Sequence, residues 1–219
     1  MSNKAEIRAR IEEIGIIPGI RLASAEDAIF AAEAVSESGI PIVEVTMTIP
    51  GALEVIGKLT RNNPGLVVGA GTVIDLDTAD RCLNAGAHFL TSTGLDLEIV
   101  DFAQKHDIVV FPGAMTPTEV SMAWRAGADF VKVFPCSQLG GPSYIRTLKS
   151  PFPKVPLIAA GGVNQQTVGE FFLAGAVAVG IGRDLIQPDA IERREKGWIR
   201  ELAHRYLRKI EEARSRLRK

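Results

Sequence analysis

The sequence is poor in the residues that build disulfide frameworks and metal sites. Its 219 residues include two cysteines and three histidines. Cys82 and Cys136 form no CxxC pair, and a chain without a disulfide framework is typical of a reducing compartment, so we expect a cytoplasmic location. The histidines show neither HxxH spacing nor a paired histidine–carboxylate motif, and we therefore expect no metal site.

Long apolar segments and a strong net charge are also missing. No apolar run approaches the roughly 18–20 residues that a membrane helix needs. The N-terminal stretch MSNKAEIRARIEEIG is charged and helical in pattern, which argues against a signal peptide. With 25 Lys and Arg against 26 Asp and Glu, the net charge is −1. We expect neither nucleic acid nor a membrane surface as a partner.

What the chain does contain is a regular alternation of short apolar runs with longer amphipathic ones. The runs are continuous in hydrophobicity, as expected for parallel strands that are buried on both faces. The candidate strands are 16–21, 42–46, 66–71, 88–92, 108–113, 130–135, 156–161 and 176–182. The helix patterns between and after them are 25–38, 51–61, 76–85, 96–105, 117–126, 142–149, 165–174 and 184 onward.

Eight strand–helix units in 219 residues predict an α/β fold, a (β/α)8 TIM barrel formed by a single domain that spans 1–219. An open doubly wound sheet is the alternative, and the absence of GxGxxG after the first strand weakens its dinucleotide-binding version. Residues 3–13 predict an extra N-terminal helix over the barrel floor. The last segment, EKGWIRELAHRYLRKIEEARSRLRK, predicts a long charged C-terminal helix.

Two ionisable residues lie inside apolar strands: Lys132 in FVKVF and Glu44 in IVEVT. Burial disfavours an ammonium ion, so a neutral amine would be available to form a Schiff base with a carbonyl. The alternative is a structural lysine that reaches the rim or forms a buried ion pair of little net stability. Both residues fall near the C-terminal ends of their strands, where the active sites of such barrels lie. We therefore favour an amine nucleophile beside a carboxylic general acid–base.

Glycine turns end the last two predicted strands. They contain Gly161 and Gly162 in AAGGVN and Gly182 in GIGRD. Backbone N–H groups after the final strands are the usual phosphate site of these barrels, although the same residues would also suit ordinary tight turns. Arg183 is expected to begin the last helix, where it would add a charge-assisted bond to an anion or be a plain surface arginine.

Six segments together resemble the 2-keto-3-deoxy-6-phosphogluconate (KDPG) and 4-hydroxy-2-oxoglutarate (KHG) aldolases: VEVTMT, VVGAGTV, FPGAMTPTE, FVKVFP, GGPSYIRTLKSPFP and AAGGVN. The match runs in order from about residue 14 to about residue 187. The resemblance implies a class I aldolase that needs no metal or other cofactor. It also implies a (β/α)8 barrel, a homotrimer, and a small, phosphorylated 2-keto acid as substrate.

The resemblance also implies roles by position. Lys132 matches the Schiff-base lysine, Glu44 the general acid–base, and Thr72 in GAGT a residue that lines the pyruvate-derived part of the substrate. The residues that match the phosphate turns are Gly161, Gly162 and Gly182.

Three positions depart from the family pattern. Thr48 stands where some members have an arginine that contacts substrate, and Arg21 is the candidate replacement. Arg183 stands where many members have serine in the last phosphate turn. Ala160 stands where KDPG enzymes often have threonine, whereas enzymes for the galactonate epimer tend to have an apolar residue there. These departures leave the choice among KDPG, its galactonate epimer and KHG open.

Two other classes of function remain as alternatives. A phosphate-sugar isomerase or epimerase on the same barrel would need a second carboxylate or histidine in the lumen, opposite Glu44. A non-catalytic barrel would only bind a phosphorylated metabolite. Neither alternative would use the amine of Lys132 as a nucleophile.

Overall fold

A computed structural model describes residues 3–218 and places all of their strands in one parallel sheet. The strands are β1 Ile16–Ile20, β2 Ile42–Thr46, β3 Val67–Gly71, β4 Phe89–Thr91, β5 Val109–Phe111, β6 Gly113–Ala114, β7 Val131–Val133, β8 Leu157–Ala160 and β9 Ala176–Ile181. Their order is β5-β4-β3-β2-β1-β9-β8-β7-β6. The two end strands, β5 and β6, are separated in the chain by Pro112 alone, so the sheet closes on itself and the predicted barrel is confirmed.

The predicted fifth strand, 108–113, is in fact two short strands. Pro112 has no N–H to donate to a ladder, which is why a proline interrupts a strand in the middle of a sheet. Before it, β5 pairs with β4, and after it, β6 pairs with β7. The Pro112 carbonyl still accepts a hydrogen bond from the Lys132 N–H at 2.9 Å. The interruption therefore changes the pairing partner without opening the barrel.

Helices follow the strands and form the outer layer. They are α1 Lys4–Ile14, α2 Ala25–Ser36, α3 Ala52–Asn62, α4 Leu76–Asn84, α5 Leu97–Lys105, α6 Pro117–Arg125, α7 Pro142–Lys149, α8 Val168–Leu173, α9 Pro188–Glu192 and α10 Lys196–Leu217. Within residues 3–218, no helix combines the length and the apolar character needed to cross a membrane.

The prediction of one continuous helix from 184 onward was wrong: the first helix starts later, and the described part of the segment contains two helices. The N–H groups of Leu185 and Ile186 both bond to the Gly182 carbonyl, so this segment forms a turn in which both apolar side chains are buried. Pro188 then begins the short helix α9, as its fixed φ favours at a first helical position. The chain breaks again before α10, where Arg194 has φ of 54°.

The two extra helices occur where the sequence predicts them. Ile7 and Ile11 of α1 are buried, and Lys4 forms a 3.0 Å ion pair with Asp129, which lies two residues before the start of β7. Helix α1 therefore covers the N-terminal end of the barrel. Helix α10 packs against α8 and α2, and its Arg214 donates to main-chain carbonyls in the last turn of α1.

Two glycines of β3 make room for large side chains inside the barrel. A Cβ on Gly69 would lie 2.0 Å from the ring of Phe89, and a Cβ on Gly71 would lie 2.0 Å from Oε1 of Glu44. Because residues two apart on a strand face the same side, Phe89 and Glu44 occupy successive positions along one wall of the lumen. The Phe89 ring lies nearer the N-terminal end of the barrel than the Glu44 carboxylate does.

Candidate active site

Barrel closure brings Lys132 and Glu44 together across the lumen. They lie on β7 and β2, which are not neighbours in the sheet, yet Lys132 Nζ lies 3.9 Å from Glu44 Oε1. Their exposed fractions are only 7% and 8%. An amine and a carboxylate thus share a nearly enclosed site, and each can exchange protons with a molecule bound between them.

The surroundings of Lys132 Nζ are specific. Nζ donates to Thr91 Oγ1 at 3.4 Å, and the Thr91 hydroxyl in turn donates to the Phe111 carbonyl at 2.9 Å. The ring of Phe134 forms an aromatic wall, with its centroid 5.5 Å from Nζ. Thr91 and Phe134 had no assigned role from sequence, although Thr91 ends β4 and a polar residue at the end of a barrel strand is a signal for the site.

A cavity of about 310 Å³ opens on this pair. Its lining joins both ionisable residues to the ends of β1, β8 and β9. The lining residues from those ends include Arg21, Gly161, Gly162, Gly182, Arg183 and Asp184. The structure therefore gathers most of the predicted site residues around one volume, which is sized for a small metabolite.

The glycine turns that line the cavity contain backbone N–H groups without a backbone acceptor among the described residues. Gly161 and Gly162 have φ of 82° and 85°, a region that residues with a side chain rarely adopt. Within residues 3–218, the amides of 161–163 and 182–184 donate to no backbone carbonyl. Such unpaired amides suit an anion.

In the described part of the chain, no helix begins directly at either glycine turn. Arg183 was expected to begin the last helix, but it is an exposed residue of the Gly182–Ile186 turn, and α9 starts only at Pro188. The helix after the other glycine turn begins at Val168, because the Asn164 side chain first accepts the N–H groups of 166 and 167 in a local turn.

Arg21 lines the cavity, whereas neither Thr72 nor Thr48 is among its lining residues. Arg21 extends from the end of β1, and its Nη2 donates to Thr72 Oγ1 at 3.4 Å. Thr72 has φ of 60° directly after β3. Thr48 is exposed, and its hydroxyl lies 2.8 Å from that of Thr46, which bonds to the Ile20 carbonyl. Roles for Thr48 and Thr72 in substrate binding stay predictions.

Asp184 is a lining residue that sequence reasoning missed. Its only signal in the sequence is that it follows Gly182 and Arg183. Within the described part of the chain, no group of three or more His, Cys, Asp or Glu side chains is arranged to hold a metal ion.

The fold and the site together define a class of protein. A (β/α)8 barrel with a buried amine and a carboxylate at its C-terminal mouth, beside a turn of unpaired amides, has the groups that an amine-dependent lyase of a small anionic substrate requires. The family model for KDPG and KHG aldolase matches residues 7–202. The chain belongs to this family, and it is an aldolase, a carbon–carbon lyase.

Relatives that are named for different substrates resemble the chain to a similar degree. The 2-dehydro-3-deoxy-phosphogluconate aldolase of Pseudomonas aeruginosa is 28% identical over 218 residues, which cover 98% of this chain and 99% of that protein. The 2-dehydro-3-deoxy-6-phosphogalactonate aldolase of Escherichia coli K12 is 28% identical over 195 residues, covering 85% and 90%.

A solved structure shares the fold closely. The KDPG aldolase of Legionella pneumophila, with pyruvate captured at low pH as a covalent carbinolamine intermediate, superposes with a TM-score of 0.84. It is 30% identical, and the match covers 90% of this chain and 95% of that one.

Proposed function

We propose that this protein is a class I aldolase that cleaves a 2-keto-4-hydroxy acid to pyruvate and an aldehyde, with Lys132 as the Schiff-base residue. The observation that carries the proposal is the 3.9 Å approach of Lys132 Nζ to Glu44 Oε1 in a cavity that the glycine turns also line. The covalent carbinolamine of pyruvate in the Legionella relative supports the same chemistry.

The groups of the site account for each step. The neutral amine of Lys132 attacks C2 of the keto acid, and loss of water gives an iminium that serves as an electron sink. Glu44, directly or through a water, takes the proton of the C4 hydroxyl. The C3–C4 bond breaks, its electron pair passes into the enamine, and the aldehyde leaves. Protonation at C3 and hydrolysis of the iminium then release pyruvate and the free amine.

We propose a phosphorylated 2-keto-3-deoxy sugar acid as the substrate, which gives glyceraldehyde 3-phosphate as the aldehyde. The unpaired amides of 161–163 and 182–184 support an anion beside the glycine turns of the cavity. Ala160 in the lining favours the galactonate epimer over KDPG, and relatives of both names match the chain. KHG, which would give glyoxylate, would leave the phosphate turn empty.

An isomerase or epimerase is less well supported. It would need a second buried acid–base group across the lumen, whereas the other carboxylate that lines the cavity, Asp184, is exposed. The other buried carboxylate among the described residues, Asp129, pairs with Lys4 at the opposite end of the barrel. Family membership likewise disfavours a barrel that merely binds a metabolite.

Reductive trapping tests the covalent step. Borohydride treatment with pyruvate should add one adduct per chain, and peptide mapping should place it on Lys132. Lys132→Arg should abolish both the adduct and turnover while the fold persists, because a guanidinium does not form the imine. Adducts spread over surface lysines, or no adduct in the wild type, would refute the proposal.

A second variant tests the acid–base role. Glu44→Gln keeps the shape of the side chain and loses the proton acceptor, so turnover should fall roughly 10²–10⁴-fold. Trapping of pyruvate on Lys132 should survive in part. Near-normal turnover of Glu44→Gln would show that Glu44 is structural and that another base acts.

We also propose that the protein is a cytoplasmic homotrimer. The free, buried thiols of Cys82 and Cys136 support a reducing compartment. Exposed apolar side chains on three consecutive strand–helix units, among them Ile74, Leu97 and Met122, support burial against other copies. Sedimentation should give three chains per particle, and Leu97→Glu should dissociate them. A monomer at micromolar concentration would exclude the trimer, and cell fractionation tests the location.

A further inference from the structure

Thr91 lies beside the proposed nucleophile, and the proposed mechanism gives it no role. It is 1% exposed and ends β4, and its hydroxyl lies between the nucleophilic amine and a main-chain carbonyl. It accepts from Lys132 Nζ at 3.4 Å and donates to the Phe111 carbonyl at 2.9 Å. A threonine hydroxyl has one proton and two acceptor lone pairs, so the bond to Phe111 uses its only proton.

This arrangement makes Thr91 an acceptor only, as seen from Lys132. It cannot donate to the lone pair of the amine, which therefore stays available for the carbonyl carbon of the substrate. It can accept an N–H from the neutral amine, the carbinolamine and the protonated iminium, because each keeps at least one hydrogen on nitrogen. A neutral imine keeps none. Hydrogen bonds at catalytic groups are often long in the free enzyme and tighten when the reacting species forms.

We propose that Thr91 is a catalytic residue of the Schiff-base cycle: it orients the Lys132 amine toward the cavity and favours the protonated iminium over the neutral imine. The inference rests on the proposed class I mechanism. The protonated iminium is the electron sink for cleavage of C3–C4, so its population sets the rate of that step. A hydrogen bond that forms only with the charged form of a group favours that charged form.

The test compares Thr91→Val, which keeps the shape and loses the hydroxyl, with Thr91→Ser, which keeps the hydroxyl. Three readouts are turnover, the single-turnover rate of borohydride reduction of the pyruvate adduct, and the pH dependence of that rate. Thr91→Val should lower kcat and the reduction rate about ten- to a hundredfold, the worth of a charged hydrogen bond. As the pH rises, the reduction rate should fall off at a lower pH in Thr91→Val than in the wild type, because the iminium loses its proton more readily. Thr91→Ser should restore most of kcat and of the reduction rate.

Controls distinguish this role of the Thr91 hydroxyl from a packing role of the side chain and from a failure of the proposed class I mechanism. Thr60→Val removes a similar hydroxyl-to-carbonyl bond, to Ile56 on the outer helix α3, and should leave both rates unchanged. If Thr91→Val does not fold, Thr91→Ala takes its place. Equal rates in the hydroxyl-free variant and the wild type, or equal losses in that variant and Thr91→Ser, would overturn the inference. Failure of the wild type to trap pyruvate on Lys132 would instead refute the class I mechanism.

Discussion

Gly71 offers the most direct way to displace the proposed acid–base group without touching it. A Cβ built on Gly71 would lie 2.0 Å from Glu44 Oε1, 2.5 Å from its Cδ and 2.6 Å from its Cγ. Gly71 ends β3 in ordinary extended backbone, so alanine is free of backbone strain there. The effect of Gly71→Ala should therefore come from the contact with Glu44 alone.

The size of the effect follows from these distances. Ordinary contacts of a Cβ begin at 3.4 Å, so the Glu44 carboxylate must move by about 1.4 Å, the difference between 3.4 and 2.0 Å. A misplacement of about 1 Å can cost roughly 10²-fold in rate. Overpacking of a filled interior also costs about 1–3 kcal/mol of unfolding free energy. We expect Gly71→Ala to lose about two orders of magnitude in kcat and part of its stability.

The assay follows pyruvate through lactate dehydrogenase and NADH absorbance, and urea unfolding measures stability. Trapping of pyruvate on Lys132 should survive better than turnover, because the new methyl group meets Glu44 rather than Nζ. Gly65→Ala is the matched control: nothing lies within 4 Å of its added Cβ, and it should behave as the wild type.

A double mutant identifies the source of the strain. In a Glu44→Ala background the contact no longer exists, so adding Gly71→Ala should cost much less stability than in the wild type. Such non-additivity is the mark of residues in direct contact. Turnover and stability of Gly71→Ala close to those of Gly65→Ala would refute the placement of Glu44 against β3, and with it the proposed geometry of the acid–base group.

Three further outcomes test other parts of the molecule. Arg183→Ala should raise KM for a phosphorylated substrate roughly ten- to a hundredfold and spare KHG; equal effects on both substrates would make Arg183 a surface residue. Burial lowers the pKa of His88 below 6.5, and its Nδ1 accepts the Val68 N–H. The unfolded chain therefore gains protons first as pH falls below 6.5, so unfolding free energy should drop from that pH toward the folded-state pKa. His88→Asn, which offers a similarly placed acceptor that does not titrate, should flatten this dependence in urea titrations at several pH values, and an unchanged slope would contradict the assignment. Burial raises the pKa of Cys82 and Cys136 to about 12, so a disulfide reagent such as DTNB should label both thiols in guanidinium and neither in the native protein over the same minutes; rapid native labelling would contradict their burial.

The pattern of apolar runs predicted the barrel because strands buried on both faces read as continuous β-branched segments. Two of its details were wrong, and both errors have physical causes. Pro112 cannot donate to a ladder and splits one strand. The stretch after Gly182 was predicted to be helical, but it forms a turn that buries Leu185 and Ile186. Both features depend on which hydrogen bonds the neighbouring elements offer, and a single segment does not contain that information.

The site shows the same division between pattern and fold. Lys132 and Glu44 were predictable as unusual charges near strand ends, and the glycine turns as backbone that an anion could approach. That Asp184 lines the cavity and Thr48 does not depends on how each loop leaves its strand. The resemblance to a family added roles for these residues, and the structure added their distances.

The sequence by itself determined the order of strands and helices, the charged residues inside apolar strands and the glycines after them, because these depend on local hydrophobic pattern and backbone freedom. Only the tertiary structure decided that β2, β4 and β7 aim Glu44, Thr91 and Lys132 at one point. Their residues are far apart in the chain, and the three strands are not neighbours. The closure and tilt of the whole barrel set the distances between them, and no local stretch of sequence encodes that geometry.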